Sequence, residues 1–149
     1  MYEAIVVGTD GSDRAGIAVA QAIALAKMSG ARLHVVHAAR PDAMAGAGLD
    51  PAVVAVAEAN RAYDHGDHIC AQALAMAARE GVSAEMHSAD GNPADVLISI
   101  AESIDADLVV VGNRGMSGAK RFVLGSVSNK LSHHCPCSLL IAKTDAANT

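Results

Sequence analysis

A glycine-rich segment with hydroxyl side chains is the part of this sequence best suited to chemistry. It reads GNRGMSGAKRFVLGSVS and ends at Ser128; Gly112 and Gly115 are three residues apart and Gly125 lies ten residues further on. Glycine lets a backbone pass close to a ligand and adopt positive φ. Ser126 follows where a helix is predicted to begin, and the free N–H groups of a helix N-terminus, here those of Gly125, Ser126 and Val127, attract anions. The segment therefore predicts a phosphate-binding loop.

The same glycines could instead serve only to shape a connection between a strand and a helix. Local charge favours the anion site, because this is the most basic stretch of an acidic chain. Overall, 11 Lys and Arg residues stand against 16 Asp and Glu residues, which gives a net charge of −5. The basic side chains in and beside the segment are Arg114, Lys120, Arg121 and Lys130.

Two better-known phosphate loops do not match the sequence. A P-loop ends in Gly-Lys followed by Ser or Thr, and that ending is absent from the chain. A dinucleotide fingerprint requires Gly-x-Gly-x-x-Gly after the first strand, whereas the residues there are Gly8, Thr9, Asp10 and Gly11. The predicted loop is therefore of another type.

Two groups of histidine and cysteine could be mistaken for metal sites. In the group near the C-terminus, adjacent residues at a helix end and a strand start rarely converge on one ion, and Pro136 fits the end of a helix. In the other group, two histidines share a helix face without an evident further ligand. We predict structural packing for the first group and a solvated helix face for the second. The candidate ligands are His65, His68, Cys70, His133, His134, Cys135 and Cys137.

Hydrolytic chemistry has weak support in the sequence. Asp10, Asp13 and Asp90 are the acidic residues closest to predicted strand ends. Asp10 could help to hold Mg²⁺ beside a phosphate chain, or it could equally cap the following turn. Fast hydrolysis also needs a positioned base and a metal-held water, for which no motif is present. We predict no catalytic residue and no robust turnover; slow hydrolysis or self-phosphorylation stays open.

Composition narrows the class of protein. Aromatic residues make up 2% of the chain, with no Trp, which disfavours a stacking platform for single-stranded nucleic acid. The acidic balance gives no global basic footprint for DNA or RNA. The N-terminus lacks a signal-peptide pattern, and three cysteines are too few for a secreted disulfide framework. We therefore expect a cytoplasmic protein without nucleic-acid or membrane partners.

The elements that would position the loop follow a regular alternation. Short apolar runs alternate with helical patterns in the order β-α-β-α-β-α-β-α-β, which predicts a single-domain, doubly wound, five-stranded parallel sheet with order 3-2-1-4-5 and helices on both faces. Ligands of such sheets bind at the carboxyl ends of the strands, where strand order reverses. In the first helix we predict a buried stripe of Ile17, Ala20, Ala24 and Met28. The predicted strands cover residues 4–8, 33–37, 82–87, 107–112 and 138–143.

The remaining segments are connections and ends. Residues 39–50 contain one proline and two glycines and are predicted to be a mobile connection. Gly66 is expected to break or bend the long second helix. Residues 1–143 are predicted to form one domain, and residues 144–149 a disordered tail.

A family resemblance emerges from these motifs. The spacing Gly-x2-Gly-x9-Gly-Ser, which begins at Gly112, resembles the nucleotide-binding signature of the universal stress protein family. The opening VGTDGS at residues 7–12, GNP at residues 91–93 and CPC at residues 135–137 are also similar to that family. The resemblance covers about residues 2–143 and is to the ATP-binding branch. It implies a small cytoplasmic stress-response domain that binds ATP, with Mg²⁺ as a further candidate, and forms a homodimer through its last strand, Ser138 to Lys143.

The resemblance also implies roles for particular residues. Asp10, with Thr9 beside it, would lie in the adenine–ribose region, and Val35 would give a backbone contact to adenine. Val111 would line the base. The ribose and phosphates would contact the loop that follows, and the phosphate tail would contact the start of the last helix. These loop and helix residues are Gly112, Arg114, Gly115, Gly125, Ser126, Val127 and Ser128.

Two alternatives stay open. The second strand ends in His37, Ala38 and Ala39 where the family often has an acidic residue, so a cyclic-AMP-binding relative is an alternative to an ATP-binding one. The chain could also act as a dimeric interaction or stress-protective protein with little nucleotide dependence. Its apolar last strand supports that function, since an uncovered edge strand invites pairing.

Overall fold

Five parallel strands and four helices alternate along the chain in the computed structural model. The model describes residues 1–39, 50–113 and 124–144. The strand order is β3-β2-β1-β4-β5, so the predicted doubly wound sheet and its order are confirmed. The elements are β1 Ala4–Gly8, α1 Asp13–Ser29, β2 Arg32–Ala39, α2 Pro51–Arg79, β3 Ala84–Asp90, α3 Pro93–Ser103, β4 Leu108–Gly112, α4 Ser126–His134 and β5 Ser138–Ala142.

The register of the central strands brings their carboxyl ends to one edge. Val7 of β1 pairs with Val35 of β2 on one side and with Val110 of β4 on the other. The chain moves outward from β1 in one direction through β2 and β3, and in the other through β4 and β5. Strand order therefore reverses between β1 and β4, which opens a crevice at their carboxyl ends.

Both faces of the sheet are buried, which explains the continuous apolar runs of the central strands. Ile5, Val7 and Val35 face α1 and α2 in one core cluster. Val6 and Val36 face α3 and α4 in the other. Successive side chains of a strand point to opposite faces, so a strand in the middle of this sandwich needs apolar side chains at every position.

Side-chain caps begin three of the helices. Ser12 Oγ accepts a hydrogen bond from the Ala15 N–H at 3.1 Å, and Asn92 Oδ1 accepts one from the Ala94 N–H at 3.0 Å. Asp50 Oδ1 accepts from the Ala52 N–H at 2.9 Å. These contacts satisfy N–H groups that an α-helix leaves unpaired in its first turn.

The predicted buried stripe of α1 is wrong. The exposed fractions are 39% for Ile17 and 83% for Met28. Alanine occupies many positions of α1, so several helix faces satisfy an apolar repeat. Val19 and Ile23, four residues apart, bury more apolar area than the alanines and decide which face packs inward. The buried residues of α1 are Ala18, Val19, Ala22, Ile23 and Ala26.

The long helix α2 runs without interruption through Gly66, contrary to the expected break. Gly66 is buried where α2 crosses the sheet. A Cβ placed on it would lie 2.7 Å from His37 Cδ2 and 2.7 Å from Ser88 Oγ. The glycine therefore permits close approach of α2 to β2 and β3.

The predicted boundaries of the domain need one correction. Thr144, placed in the disordered tail by the sequence, is fully buried and belongs to the folded part. The predicted mobile connection, apart from its first and last residues, lies outside the described residues. None of the described helices combines the length and apolar character needed to cross a bilayer.

Replacing Gly66 tests the close contact between α2 and the sheet. We expect Gly66→Ala to lower the free energy of unfolding by about 1–3 kcal/mol, because the added methyl group displaces packed side chains. The matched control is Gly16→Ala in α1, where a Cβ meets nothing within 4 Å. That variant should gain up to about 1 kcal/mol from helix propensity. Urea unfolding measures both; equal stabilisation of the two variants would contradict the assignment.

Candidate functional site

A cleft opens at the switch point of the sheet, between the carboxyl ends of β1 and β4. Its cavity volume is about 170 Å³. Of the eleven predicted site residues, eight line this cleft: Thr9, Asp10, Val111, Gly112, Gly125, Ser126, Val127 and Ser128. The other lining residues are Gly8, Ala15, Val36, Ala38, Pro93 and Leu97.

The turn after β1 is held in place by its own polar groups. The Thr9 N–H donates to the Val36 carbonyl at 2.9 Å, which extends the β1–β2 ladder by one residue. Asp10 Oδ1 accepts from the Ser12 N–H at 2.9 Å and from the Ser12 hydroxyl at 2.5 Å. The sequence allowed two roles for Asp10, capping of this turn or binding of Mg²⁺. The Asx turn shows that one of its carboxylate oxygens caps the turn.

Asn113 joins three segments of the chain at the rim of the cleft. Its carbonyl accepts from the Gly125 N–H at 2.9 Å. Its Oδ1 accepts from the Thr144 N–H at 2.9 Å and from the Thr144 hydroxyl at 2.8 Å. Its own N–H donates to the Ala142 carbonyl at 2.9 Å. Asn113 thus connects β4, the start of α4 and the chain that follows β5, a role for which the sequence carries no signal.

The start of α4 differs in detail from the prediction. The Gly125 N–H is already paired with Asn113, so it is not a spare donor. The Ser128 hydroxyl, fully buried, lies 3.1 Å from the Gly125 carbonyl and is used within the turn. No side-chain hydrogen bond caps α4 in the described residues. The N–H groups of Ser126, Val127 and Ser128 have no acceptor within the helix, and all three residues line the cleft.

On the β2 side, Val35 is not among the residues that line the cleft. Val35, expected to contact a ligand through its backbone, is fully buried in the core beneath α1 and α2. Its backbone lies in mid-sheet, paired with Val7 and Met86. Val36 and Ala38 line the cleft instead, because they point to the opposite face of the sheet.

Of the four basic residues expected in or beside the site, the structure describes one, Lys130. Lys130 is engaged in an ion pair, with its Nζ 2.7 Å from Asp95 Oδ1, and so joins α4 to α3. The predicted site residues Arg114 and Gly115 lie outside the described residues, as do Lys120 and Arg121.

The predicted histidine and cysteine groups do not assemble a shared ligand set within the described chain. Cys135 Sγ and Cys137 Sγ lie 4.0 Å apart, and burial is the largest of the effects that raise the pKa of Cys137 to about 12. Burial likewise raises the pKa of Cys70, on α2, to about 11. The described residues bring three metal-type ligands together elsewhere, on β2 and β3.

The fold and the cleft define a small doubly wound α/β domain with an open cleft at its switch point. The sequence model of the universal stress protein family matches residues 1–143 of this chain. The chain therefore belongs to that family. Universal stress protein YxiE of Bacillus subtilis (strain 168) is 36% identical over 149 residues, which cover 96% of this chain and 100% of that protein.

Two solved structures have the same fold as this chain. A crystal structure of a universal stress protein in complex with cAMP is 32% identical, with a TM-score of 0.74, and the match covers 97% of this chain and 99% of that chain. Universal stress protein UspA from Lactobacillus plantarum has a TM-score of 0.82 at 24% identity, over 95% of this chain and 98% of that chain, and shares the fold.

Removing the Asn113 side chain tests whether it holds the rim of the cleft. Asn113→Ala leaves the buried N–H and hydroxyl of Thr144 without their acceptor, and we expect a loss of about 1–3 kcal/mol in the free energy of unfolding. Asn113→Asp keeps an acceptor oxygen in the same place and should retain most of the stability. Urea unfolding of both variants gives the comparison; equal losses would show that the two hydrogen bonds contribute little.

Proposed function

We propose that this protein is an adenine-nucleotide-binding regulatory module, with ATP as its expected ligand, rather than a fast enzyme. The observation that carries the proposal is the first turn of α4: Ser126 and Val127 line the cleft, and no side chain of the described residues caps this helix. Amides so placed, with the helix dipole behind them, favour a phosphate group. The relative solved with cAMP supports an adenine nucleotide as the ligand class.

The two ends of the cleft differ in chemistry, which suggests the direction of the ligand. Val36, Ala38, Leu97 and Val111 form apolar walls suited to a base. The amides of α4 lie on the side suited to phosphate. The roles expected for Arg114 and Gly115, on the phosphate side, belong to the same proposal. A triphosphate would use this side more fully than a cyclic monophosphate, so ATP is preferred and cAMP is the alternative.

The carboxylates of the site support binding rather than turnover. Asp10 is the one acidic side chain among the described residues that line the cleft. One of its oxygens already accepts two hydrogen bonds from Ser12. The other oxygen could take part in holding Mg²⁺ with the nucleotide. A general base must lie within hydrogen-bond reach of the attacking water, and this lining offers no second carboxylate for that task.

A proline substitution tests the phosphate-binding amide directly. Ser126 is the first residue of α4, a position where proline fits a helix because its N–H has no intrahelical partner. Gly125, with φ −59° and ψ 159°, has the extended conformation that a residue before proline requires. Ser126→Pro should therefore keep the helix and remove one donor.

We expect Ser126→Pro to weaken ATP binding at least tenfold, since a charge-assisted hydrogen bond is worth about 1.5–3 kcal/mol. Ser126→Ala keeps the amide and removes only the hydroxyl, so it should bind more tightly than the proline variant. Isothermal titration with ATP and with cAMP gives both affinities. Unchanged ATP affinity in Ser126→Pro would refute the site. The mass of any nucleotide released from the purified, heat-denatured protein would identify the bound species.

The edge of the sheet supports a homodimer as the form in which this module acts. In the part of the chain that the structure describes, β5 is the last strand of the sheet and pairs with β4 on one side. Leu139, Leu140 and Ile141 are each partly exposed there. A flat apolar edge with unpaired backbone groups is a template for pairing with a second copy. A cytoplasmic location is part of the same proposal.

A charge on the edge strand tests the dimer. Lysine on an edge strand opposes pairing, so Leu140→Lys should shift the molecular mass in solution from dimer towards monomer. Met28→Lys on the exposed face of α1 is the control and should leave the mass unchanged. Light scattering measures the mass, and circular dichroism checks that both variants fold. A monomeric parent protein would refute the proposal.

A further inference from the structure

Three side chains with metal-binding atoms meet on β2 and β3, away from the α4 amides. His34 pairs with Glu85 in the register of the two strands, and Val36 pairs with His87. Because alternate residues of a strand share a face, His34, Glu85 and His87 project from the same side of the sheet. The sequence separates His34 from the other two by about fifty residues, and only the strand pairing brings them together.

The ligand atoms of this cluster form a compact triangle. His34 Nδ1 lies 3.0 Å from His87 Nε2 and 3.0 Å from Glu85 Oε1. His87 Nε2 lies 3.5 Å from Glu85 Oε1. A tetrahedral ion with bonds of about 2.0–2.1 Å separates its ligands by roughly 3.3 Å. The triangle therefore already has nearly the dimensions of three corners of a zinc tetrahedron.

The protonation of the two imidazole rings also favours the binding of a cation. Two ring nitrogens 3.0 Å apart cannot both carry a proton directed at the other, so at least one presents a bare lone pair. The carboxylate oxygen that faces both rings is an acceptor as well. At least two of the three atoms therefore present lone pairs, and in the tautomers that leave both of these ring nitrogens bare all three can bind one cation.

The surroundings hold two of the ligands in position. Glu85 Oε2 lies 3.4 Å from Arg32 Nη2, which leaves Oε1 directed at the histidines. Such an outer contact orients a ligating carboxylate. His34 is 5% exposed, so the surrounding packing restricts the orientation of its ring. The side chains of His87 and Glu85 are 28% and 41% exposed, so water can reach a fourth position.

We propose that His34 Nδ1, Glu85 Oε1 and His87 Nε2 form a binding site for one divalent transition-metal ion, with Zn²⁺ as the favoured ion and water as its fourth ligand. Two imidazoles and one carboxylate suit zinc, whereas Mg²⁺ prefers oxygen ligands alone. The ion cross-links β2 to the edge strand β3. The site is separate from the nucleotide cleft and does not depend on the function proposed for that cleft.

A metal titration without nucleotide tests the site. The chelator-stripped protein is titrated with Zn²⁺ by calorimetry, and with Co²⁺ by visible absorption, which reports nitrogen and oxygen ligation without thiolate charge transfer. We expect one equivalent to bind and to raise the melting temperature. His87→Ala and Glu85→Gln should each weaken binding at least tenfold, since even outer contacts of a metal ligand contribute 10–100-fold. His68→Ala, at an exposed histidine of α2, is the matched control and should bind as the parent does.

Each remaining outcome contradicts the proposal. Binding that weakens equally in His68→Ala indicates scattered surface histidines. Binding that is lost in Cys137→Ser, or that shows thiolate charge transfer, places the ion on the cysteines. An absence of saturable Zn²⁺ binding in the parent refutes the site outright. The melting temperatures of the metal-free variants show whether each is folded, so a loss of binding at an unchanged melting temperature is a loss of the ligand itself.

Discussion

The cleft depends on the hydrogen bonds of Asn113. Through its carbonyl it holds the start of α4 against the end of β4, and through its side chain it holds the chain that follows β5. The amides of Ser126 and Val127 are therefore fixed by contacts within the protein rather than by a ligand. Donors held in this way bind with a smaller loss of conformational entropy. The phosphate side of the proposed site is, in this respect, already organised in the protein alone.

Most of the fold follows from local patterns in the sequence. The apolar runs predict the strands, and their alternation with helices predicts the sheet and the position of the cleft. Ser12 and Asn92 predict the helix starts because capping is a local interaction. The sequence does not predict which face of a strand or helix packs into which core. Neighbouring valines in β2 look alike in sequence, yet the period of two in a strand puts Val35 in one core and Val36 in the cleft. The buried face of α1 is also ambiguous in the sequence, because its many alanines make several faces of the helix apolar.

The contacts that sequence reasoning missed join residues that are distant in the chain. Gly125 is predicted as a free donor because the sequence does not show that the carbonyl of Asn113 would reach it. The His34–Glu85–His87 cluster has a partial signal in the spacing Glu85-x-His87 on a strand, but its third member is fixed only by the β2–β3 register. The histidine and cysteine groups noted in the sequence consist of residues that lie close together in the chain. Closeness in the chain does not by itself bring side chains onto one metal ion.

The raised pKa values of two cysteine thiols affect how this protein reacts with oxidants. The thiolate, rather than the thiol, attacks peroxides and alkylating reagents. With the pKa of Cys70 raised to about 11 and that of Cys137 to about 12, both sulfurs stay protonated at neutral pH. Sulfenic acid formation at these two positions is therefore slow. Cys70 and Cys137 are therefore expected to act as packing groups rather than as reactive thiols.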